Sequence, residues 1–324
     1  MVGMDSRIKE FEPYLNLGSE EVHMVGIWGT GGIGKTTLAE QVFKRFRGDF
    51  EARSIVYSVR ETCEKETDGL NSLKKQIDED LLSKKASMKV LIVLDDVENE
   101  TQLEALVGKV GPGSRIIITT RDNGILERCG VKDIFEVKKL TCEESLKLFC
   151  RKAFKKCSPP PPFEELSNDF VRYADGLPLL LEVLGNCISY HSTESEYWIG
   201  ELNRLRETPD QGVTKVLRFS YDKLDDQERE AFLDIACFFK GEDESRVKKI
   251  FESCNFHPDI SLEVLVARSL ISITGGKVWM HDLLQQMGWE IISKEKELGK
   301  RSRLWRHEDS LRVLQENMVR YILV

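Results

Sequence analysis

No stretch of this chain stays apolar long enough to cross a bilayer as a helix. The opening residues, Met1-Val2-Gly3-Met4-Asp5-Ser6-Arg7, lack the apolar centre of a secretory leader. Nor is there a surplus of positive charge: 47 Lys and Arg stand against 55 Asp and Glu, for a net charge of −8. That balance argues against sequence-independent binding to nucleic acid or to an anionic membrane. The eight cysteines are scattered and form no C-x-x-C pair, and some, such as Cys237 in Ile235-Ala236-Cys237-Phe238-Phe239, fall in apolar helical patterns. Buried free thiols in a reducing compartment are favoured over a disulfide framework or a zinc site. The expected location is the cytoplasm, or cytoplasm and nucleus, with no membrane and no nucleic-acid partner. No repeat of fixed period is present, which excludes a solenoid within these residues.

Against these absences stands one dense motif. Gly29-Thr30-Gly31-Gly32-Ile33-Gly34-Lys35-Thr36-Thr37 fits the phosphate-loop pattern G-x-x-x-x-G-K-[ST]. Before it, His23-Met24-Val25-Gly26-Ile27-Trp28 reads as a buried strand; after it, Thr37 to Phe46 carries apolar residues at helical spacing. Glycines let the backbone wrap closely round phosphates, so that successive N–H groups and a helix N-terminus face the anion. Lys35 then reaches the terminal phosphates and the Thr36 hydroxyl helps to hold Mg²⁺. The plain alternative is a glycine-rich turn with an accidental Lys-Thr. Strand, loop and helix in succession argue against it, and the chain is expected to bind a nucleoside phosphate.

At 324 residues, 41% hydrophobic and 31% charged, the chain has room for two or three domains with cores of their own. Its first part alternates strands and helices. Strands are expected at Ser54–Val59, Val90–Leu94, Arg115–Thr119 and Ile134–Val137, with a helix from Leu70 to Leu82. This rhythm means a parallel sheet covered by helices on both faces. From Thr141 the pattern turns helical: Thr141-Cys142-Glu143-Glu144 is a capping box opening a helix through Phe154. Pro159-Pro160-Pro161-Pro162 breaks the chain. Helices follow at Glu164–Ala174, Pro178–Tyr190, Glu196–Arg206 and Gln211–Tyr221. A further helix, capped at Asp225-Asp226-Gln227-Glu228, runs to Phe239. Leu270–Ile273 and Lys277–Met280 flank Thr274-Gly275-Gly276 as a hairpin. Helices followed by such a hairpin point to a winged helix.

Leu94-Asp95-Asp96 lies at the carboxyl end of an apolar strand, where ligands sit in an open α/β sheet. Asp95 is assigned to Mg²⁺ and Asp96 to activation of water; a plain pair of acids at a turn is the alternative, disfavoured by the preceding phosphate loop. Thr119-Thr120-Arg121 ends the next strand, where Arg121 is placed to sense a γ-phosphate rather than simply to pair with Asp122. Gly176-Leu177-Pro178-Leu179 and Met280-His281-Asp282 carry no assignment on periodicity alone: the first reads as a helix stop and start, the second as a cap or core histidine.

Taken in order, these segments resemble the nucleotide-binding (NB-ARC) module of plant intracellular immune receptors, related to the animal apoptotic-protease activators. The match runs through the phosphate loop, Leu91–Val97, Gly113–Arg121, Gly176–Leu179, Phe232–Phe239 and Met280–Asp282, nearly the whole chain. The Asp-Asp-Val strand, the Phe-Leu-Asp-Ile-Ala-Cys-Phe-Phe segment and the tail Arg301-Ser302-Arg303-Leu304-Trp305 are similar to the subclass with an N-terminal Toll/interleukin-receptor domain. The resemblance implies a phosphate-loop nucleotide domain over residues 1–138, a helical domain over 139–213 and a winged helix over 214–298. Residues 299–324 would extend toward leucine-rich repeats. It implies ADP held at rest: Gly29, Gly31, Gly32, Ile33, Gly34, Lys35, Thr36 and Thr37 cradle its phosphates, Pro178 packs on adenine, His281 contacts the β-phosphate, and Val2 and Arg7 line the adenine pocket. The family's signalling domain and repeats are not in these residues, so the chain is expected to be part of a longer receptor, and no NAD cleavage is assigned to it.

The mechanism this implies is a switch. ADP holds the domains closed, ATP opens them and exposes a surface for self-association, and slow hydrolysis, with Lys35, Asp95, Asp96 and Arg121 as the catalytic set, resets it. A full reversal of such a balance requires about 5.5 kcal/mol of differential affinity. The rivals are a turnover ATPase and a nucleotide-responsive winged-helix transcription regulator. The acidic Glu242-Asp243-Glu244 weighs against the second.

Overall fold

The computed structural model describes residues 2–65, 68–81, 87–189, 194–207, 213–254, 257–295 and 297–316. They fall into two compact units, Met1–Lys139 and Leu140–Val324, taken here one at a time.

In the first unit, helix α1 (Met4–Phe11) precedes β1 (His23–Trp28), α2 (Lys35–Phe46), β2 (Ala52–Val56), α3 (Val59–Lys65), α4 (Gly69–Asp80), β3 (Val90–Leu94), α5 (Glu100–Val107), β4 (Arg115–Thr120), α6 (Asn123–Arg128) and β5 (Asp133–Glu136). The five strands are parallel, in the order β2-β3-β4-β1-β5. Every residue of β3 and β4 is buried, which is why both read as unbroken apolar runs rather than alternating ones. Their inward side chains, Ile92, Leu94, Ile116 and Ile118, join Val56, Leu73, Ile77 and Leu103 in one core.

The expected strand at Ser54–Val59 is displaced: β2 ends at Val56 and Val59 already opens α3. The cause is long-range. The N–H groups of Val59 and Arg60 bond to the carbonyls of Asp95 and Asp96, at 2.9 and 3.1 Å, so the chain folds across the end of β3 instead of extending. The N-terminal approach to β1 is moored by Arg115. Its fully buried guanidinium donates to the carbonyls of Leu15, Asn16, Ser19, Glu21, Gly113 and Ser114.

The second unit opens with α7 (Cys142–Ala153), α8 (Glu164–Ala174), α9 (Pro178–Ser189), α10 (Ser195–Glu207) and α11 (Val213–Asp222). The capping box at Thr141 and Glu144 forms as expected, and Pro178 takes the first position of α9. Trp198, fully buried, is ringed by Phe149, Phe154, Phe163 and Phe170 at centroid distances of 4.8–6.0 Å. There follow α12 (Asp226–Asp234), α13 (Glu244–Ser253), α14 (Pro258–Ala267), β6 (Ser272–Thr274), β7 (Lys277–Trp279), α15 (Asp282–Ser293) and α16 (His307–Gln315). β6 and β7 pair through the two-residue loop Gly275-Gly276, both at positive φ, as the hairpin signal required.

The helix expected to run unbroken to Phe239 does not keep its pitch. At Ile235–Phe239 it widens to a π turn, in which the Lys240 N–H reaches back to the Ile235 carbonyl at 3.1 Å. The expected helix limits at Leu82, Tyr190 and Gln211, and the extension beyond residue 316, lie outside the described residues. All eight cysteines are free thiols, but only Cys150, Cys187 and Cys237 are buried. Cys142, Cys157 and Cys254 are exposed, because α7 and the segments after it turn them outward.

Candidate nucleotide-binding site

β1 ends at Trp28, and the chain turns through Gly29–Gly34 before α2 begins. Gly32 and Gly34 adopt φ of 79° and 101°, backbone that L side chains take only under strain. A Cβ on Gly34 would meet nothing within 4 Å, so its requirement is conformational rather than steric. Ile33 is buried and pins the loop from beneath, while Gly29 is buried at its entry. Gly31, Thr36 and Thr37 are half-buried. The N-terminus of a 12-residue helix thus opens directly onto the loop, a setting that favours an anion.

Lys35 is 7% exposed, and its Nζ lies back over the loop, donating to the carbonyls of Gly29 at 2.8 Å and Thr30 at 3.0 Å. Asp95, buried at the end of β3, accepts from the Thr36 hydroxyl at 2.8 Å and from the Thr119 hydroxyl at 2.6 Å. The Thr119 oxygen accepts in turn from the Asp96 N–H at 2.9 Å. One carboxylate therefore ties together the start of α2 and the ends of β3 and β4.

Asp96 sits at φ 57°, a left-handed conformation that Asp tolerates better than most residues. Its Oδ2 accepts from Arg60 Nε at 2.9 Å, and its Oδ1 lies 3.3 Å from Arg121 Nε. Arg121, expected either to sense phosphate or to pair with Asp122, faces Asp96, while the Asp122 carboxylate caps α6 through the Gly124 N–H at 2.8 Å. Two neighbours were not identified from the sequence. Arg60 lies 36 residues before its partner on a helix with no motif. Tyr57 has its hydroxyl pushed up to about 12, first by burial, then by Glu40, to which it is hydrogen-bonded, and by Asp95.

Val2 is half-buried just before Gly3, which caps α1, and Arg7 Nη2 donates to the Lys138 carbonyl at 3.1 Å. Pro178 and His281 belong to the second unit. Pro178 is half-buried at the start of α9. His281 is the N-cap of α15: its Nδ1 accepts from the Leu283 N–H at 3.1 Å. With Nδ1 engaged as an acceptor, the proton of a neutral ring resides on Nε2, the donor an anion requires.

The donor set fits a magnesium nucleotide. A hydroxyl, a carboxylate and a glycine-lined cradle meet beside a buried ammonium, as suits Mg²⁺ held largely by phosphate oxygens and water. Among the described residues no cluster of three or more His, Cys, Asp or Glu is placed to hold a metal through protein groups alone. No helix among them is long and apolar enough to cross a membrane.

Comparison with known proteins agrees with this geometry. The NB-ARC domain family matches residues 14–158, and the family described as "Disease resistance protein Roq1-like, winged-helix domain" matches residues 225–296. Disease resistance protein RUN1 of Vitis rotundifolia is 40% identical over 329 aligned residues, covering 94% of this chain and 24% of that protein. TMV resistance protein N of Nicotiana glutinosa is 36% identical, covering 98% of this chain and 30% of that protein. The chain thus spans about a quarter of the length of these relatives. Among solved structures, a signal transduction ATPase with numerous domains and a tetratricopeptide repeat sensor, from Pyrococcus horikoshii, matches at a TM-score of 0.55 and 18% identity. The match covers 98% of this chain and 45% of that one, and it speaks for the fold alone. A phosphate-loop sheet that continues into a winged helix, with these relatives, places the chain in the NB-ARC family of disease resistance proteins, as its nucleotide-binding and winged-helix portion.

Proposed function

We propose that this chain is an ADP- and ATP-binding switch within a plant defence receptor, resting with ADP and self-associating when ATP replaces it. The observation that carries the reading is the convergence of Lys35, Thr36 and Asp95 on one glycine cradle. Loop N–H groups and the start of α2 hold the phosphates, and Lys35 exchanges its two loop carbonyls for phosphate oxygens. Thr36 and Asp95 orient Mg²⁺, which when bound neutralises phosphate charge.

Arg121 lies at the end of β4 and pairs with Asp96. In this reading a γ-phosphate competes with Asp96 for that guanidinium, so recognition of ATP is coupled to the breaking of an ion pair. Asp96 accepts from Arg60 and faces Arg121, an arrangement that fits slow hydrolysis better than rapid turnover. His281 and Pro178 enter the reading through the family resemblance, as groups that respond to ADP.

A DNA-binding role for the winged helix finds no support. α14, the second helix after α12, carries Asp259 and Glu263 and no Lys or Arg, whereas a groove-reading helix needs cations for phosphate.

The test is to denature the purified protein and identify the released nucleotide by chromatography. One equivalent of ADP is expected. Empty protein that also shows no thermal shift with adenine nucleotides and Mg²⁺ overturns the proposal.

A further inference from the structure

The π turn has a local consequence. In a regular α-helix the Ala236 carbonyl would accept from the Lys240 N–H; here that N–H goes to Ile235, and the Gly241 N–H goes to Val278 at 2.7 Å. The Ala236 carbonyl instead accepts from two side chains of α15, Gln285 Nε2 and Trp289 Nε1, each at 3.0 Å. α15 comes this close because residue 288 is glycine: a Cβ there would lie 2.8 Å from that of Ala236.

Contacts continue from this carbonyl in both directions. Toward the start of α15, Gln285 Oε1 accepts from Lys240 Nζ at 3.0 Å, and the same ammonium meets Asp282 Oδ1 at 2.6 Å. The Lys240 side chain is 4% exposed, so Asp282 is its main compensation for burial. Asp282 stands next to His281, the cap of the helix. Toward the C-terminus, the Trp289 ring stacks on Trp305 at 5.9 Å and 15°. Two residues earlier, Arg303 grips α12 from the other side, meeting Asp234 at 2.5 Å and Glu230 at 2.7 Å with only 7% of its side chain exposed.

We propose that residues 301–305 are a clasp on the winged helix, and that Lys240 and Trp305 are positioning residues for His281, so that lifting the clasp loosens the His281 cap. The consequence for nucleotide rests on the reading above, in which His281 responds to ADP. The physical warrant is a contiguous run of packed rings, hydrogen bonds and one buried ion pair, all meeting at a carbonyl that the π turn releases from helix bonding.

Two readouts on the full chain test this, one of them independent of nucleotide. Hydrogen exchange followed by mass spectrometry reports the amides of residues 283–285, which lie at the His281 cap. Trp305→Ala and Lys240→Met are each expected to raise their exchange about tenfold. The double variant should go little further, because both act along one path. Arg303→Lys and Trp305→Phe, which keep charge or ring, should fall between. The second readout is release of a fluorescent ADP analogue, expected to accelerate in the same order. Unchanged exchange at 283–285 in folded Trp305→Ala or Trp305→Phe protein, or a double variant equal to the sum of the singles, overturns the clasp. Raised exchange with unaltered ADP release upholds the clasp and counts against the role of His281 in nucleotide response.

Discussion

The Thr36 hydroxyl donates to Asp95 Oδ1 across 2.8 Å, linking two residues 59 positions apart in the chain. The same carboxylate takes a second hydrogen bond from Thr119, so its orientation is set before any ligand arrives. Asp95→Asn keeps the shape and removes the charge, and should weaken the Mg²⁺-dependent part of ATP binding by about 10- to 100-fold. Titration calorimetry with and without chelator isolates that part. Equal affinities under both conditions in the unmodified protein would remove Mg²⁺ from the account.

Lys35→Ala removes the one buried ammonium over the glycine cradle. Loss of two charge-assisted contacts to phosphate is worth roughly 3 kcal/mol, or about a hundredfold in affinity. The protein should therefore purify without nucleotide. Retention of a full equivalent of ADP by this variant contradicts the loop assignment.

Arg115 carries no role in chemistry, yet its substitution should be costly. Burial lowers the affinity of its guanidinium for its proton, and six main-chain carbonyls compensate. Arg115→Leu strands those carbonyls and should cost on the order of 3–5 kcal/mol. A urea midpoint within error of the parent protein would show that the mooring is dispensable.

Asp282→Val leaves the buried Lys240 ammonium facing a methyl group. Such an uncompensated charge costs about 3 kcal/mol, and the start of α15 next to His281 should loosen. Less ADP and earlier elution on size exclusion with light scattering are expected. Parental nucleotide content and mass would separate Asp282 from the switch.

Thiol labelling at pH 8 should sort the cysteines by burial. Cys142, Cys157 and Cys254 are exposed and should react first. Cys150 is pushed up to about 12 by burial, with Cys157 adding to the effect. Only about one in ten thousand of its side chains is then thiolate at that pH. Cys187 is raised for the same chief reason, its burial. Iodoacetamide modification mapped by mass spectrometry checks the order, and early labelling of Cys150 would mean that α7 opens.

Much of this was legible in the sequence because the governing signals are local. The phosphate loop declares itself within nine residues. Strands buried on both faces read as the apolar runs Val90–Leu94 and Arg115–Thr120, and capping boxes at Thr141 and Asp225 depend on residues three apart. What escaped depends on distant partners. The end of β2 is set by carbonyls of Asp95 and Asp96, and Arg60 meets Asp96 only once the sheet has formed. Arg115 offered a clue, a charge at the head of an unbroken apolar strand, though nothing nearby in sequence names its carbonyl partners. The π turn had no such sign: Ile235-Ala236-Cys237-Phe238-Phe239 reads as ordinary helix, and its pitch is decided by Val278, Gln285 and Trp289.

That widened turn holds one residue more than an α-helical turn would, and the surplus makes the downstream sequence sensitive to counting. Removing a single residue between 235 and 239 would restore regular pitch while swinging everything after it by about 100°. Lys240 would then sweep away from Asp282 although no contact residue had changed its identity. Length here is as much a part of the recognition code as side-chain chemistry, and a shortened variant should be fully helical yet behave like one that has lost its lysine.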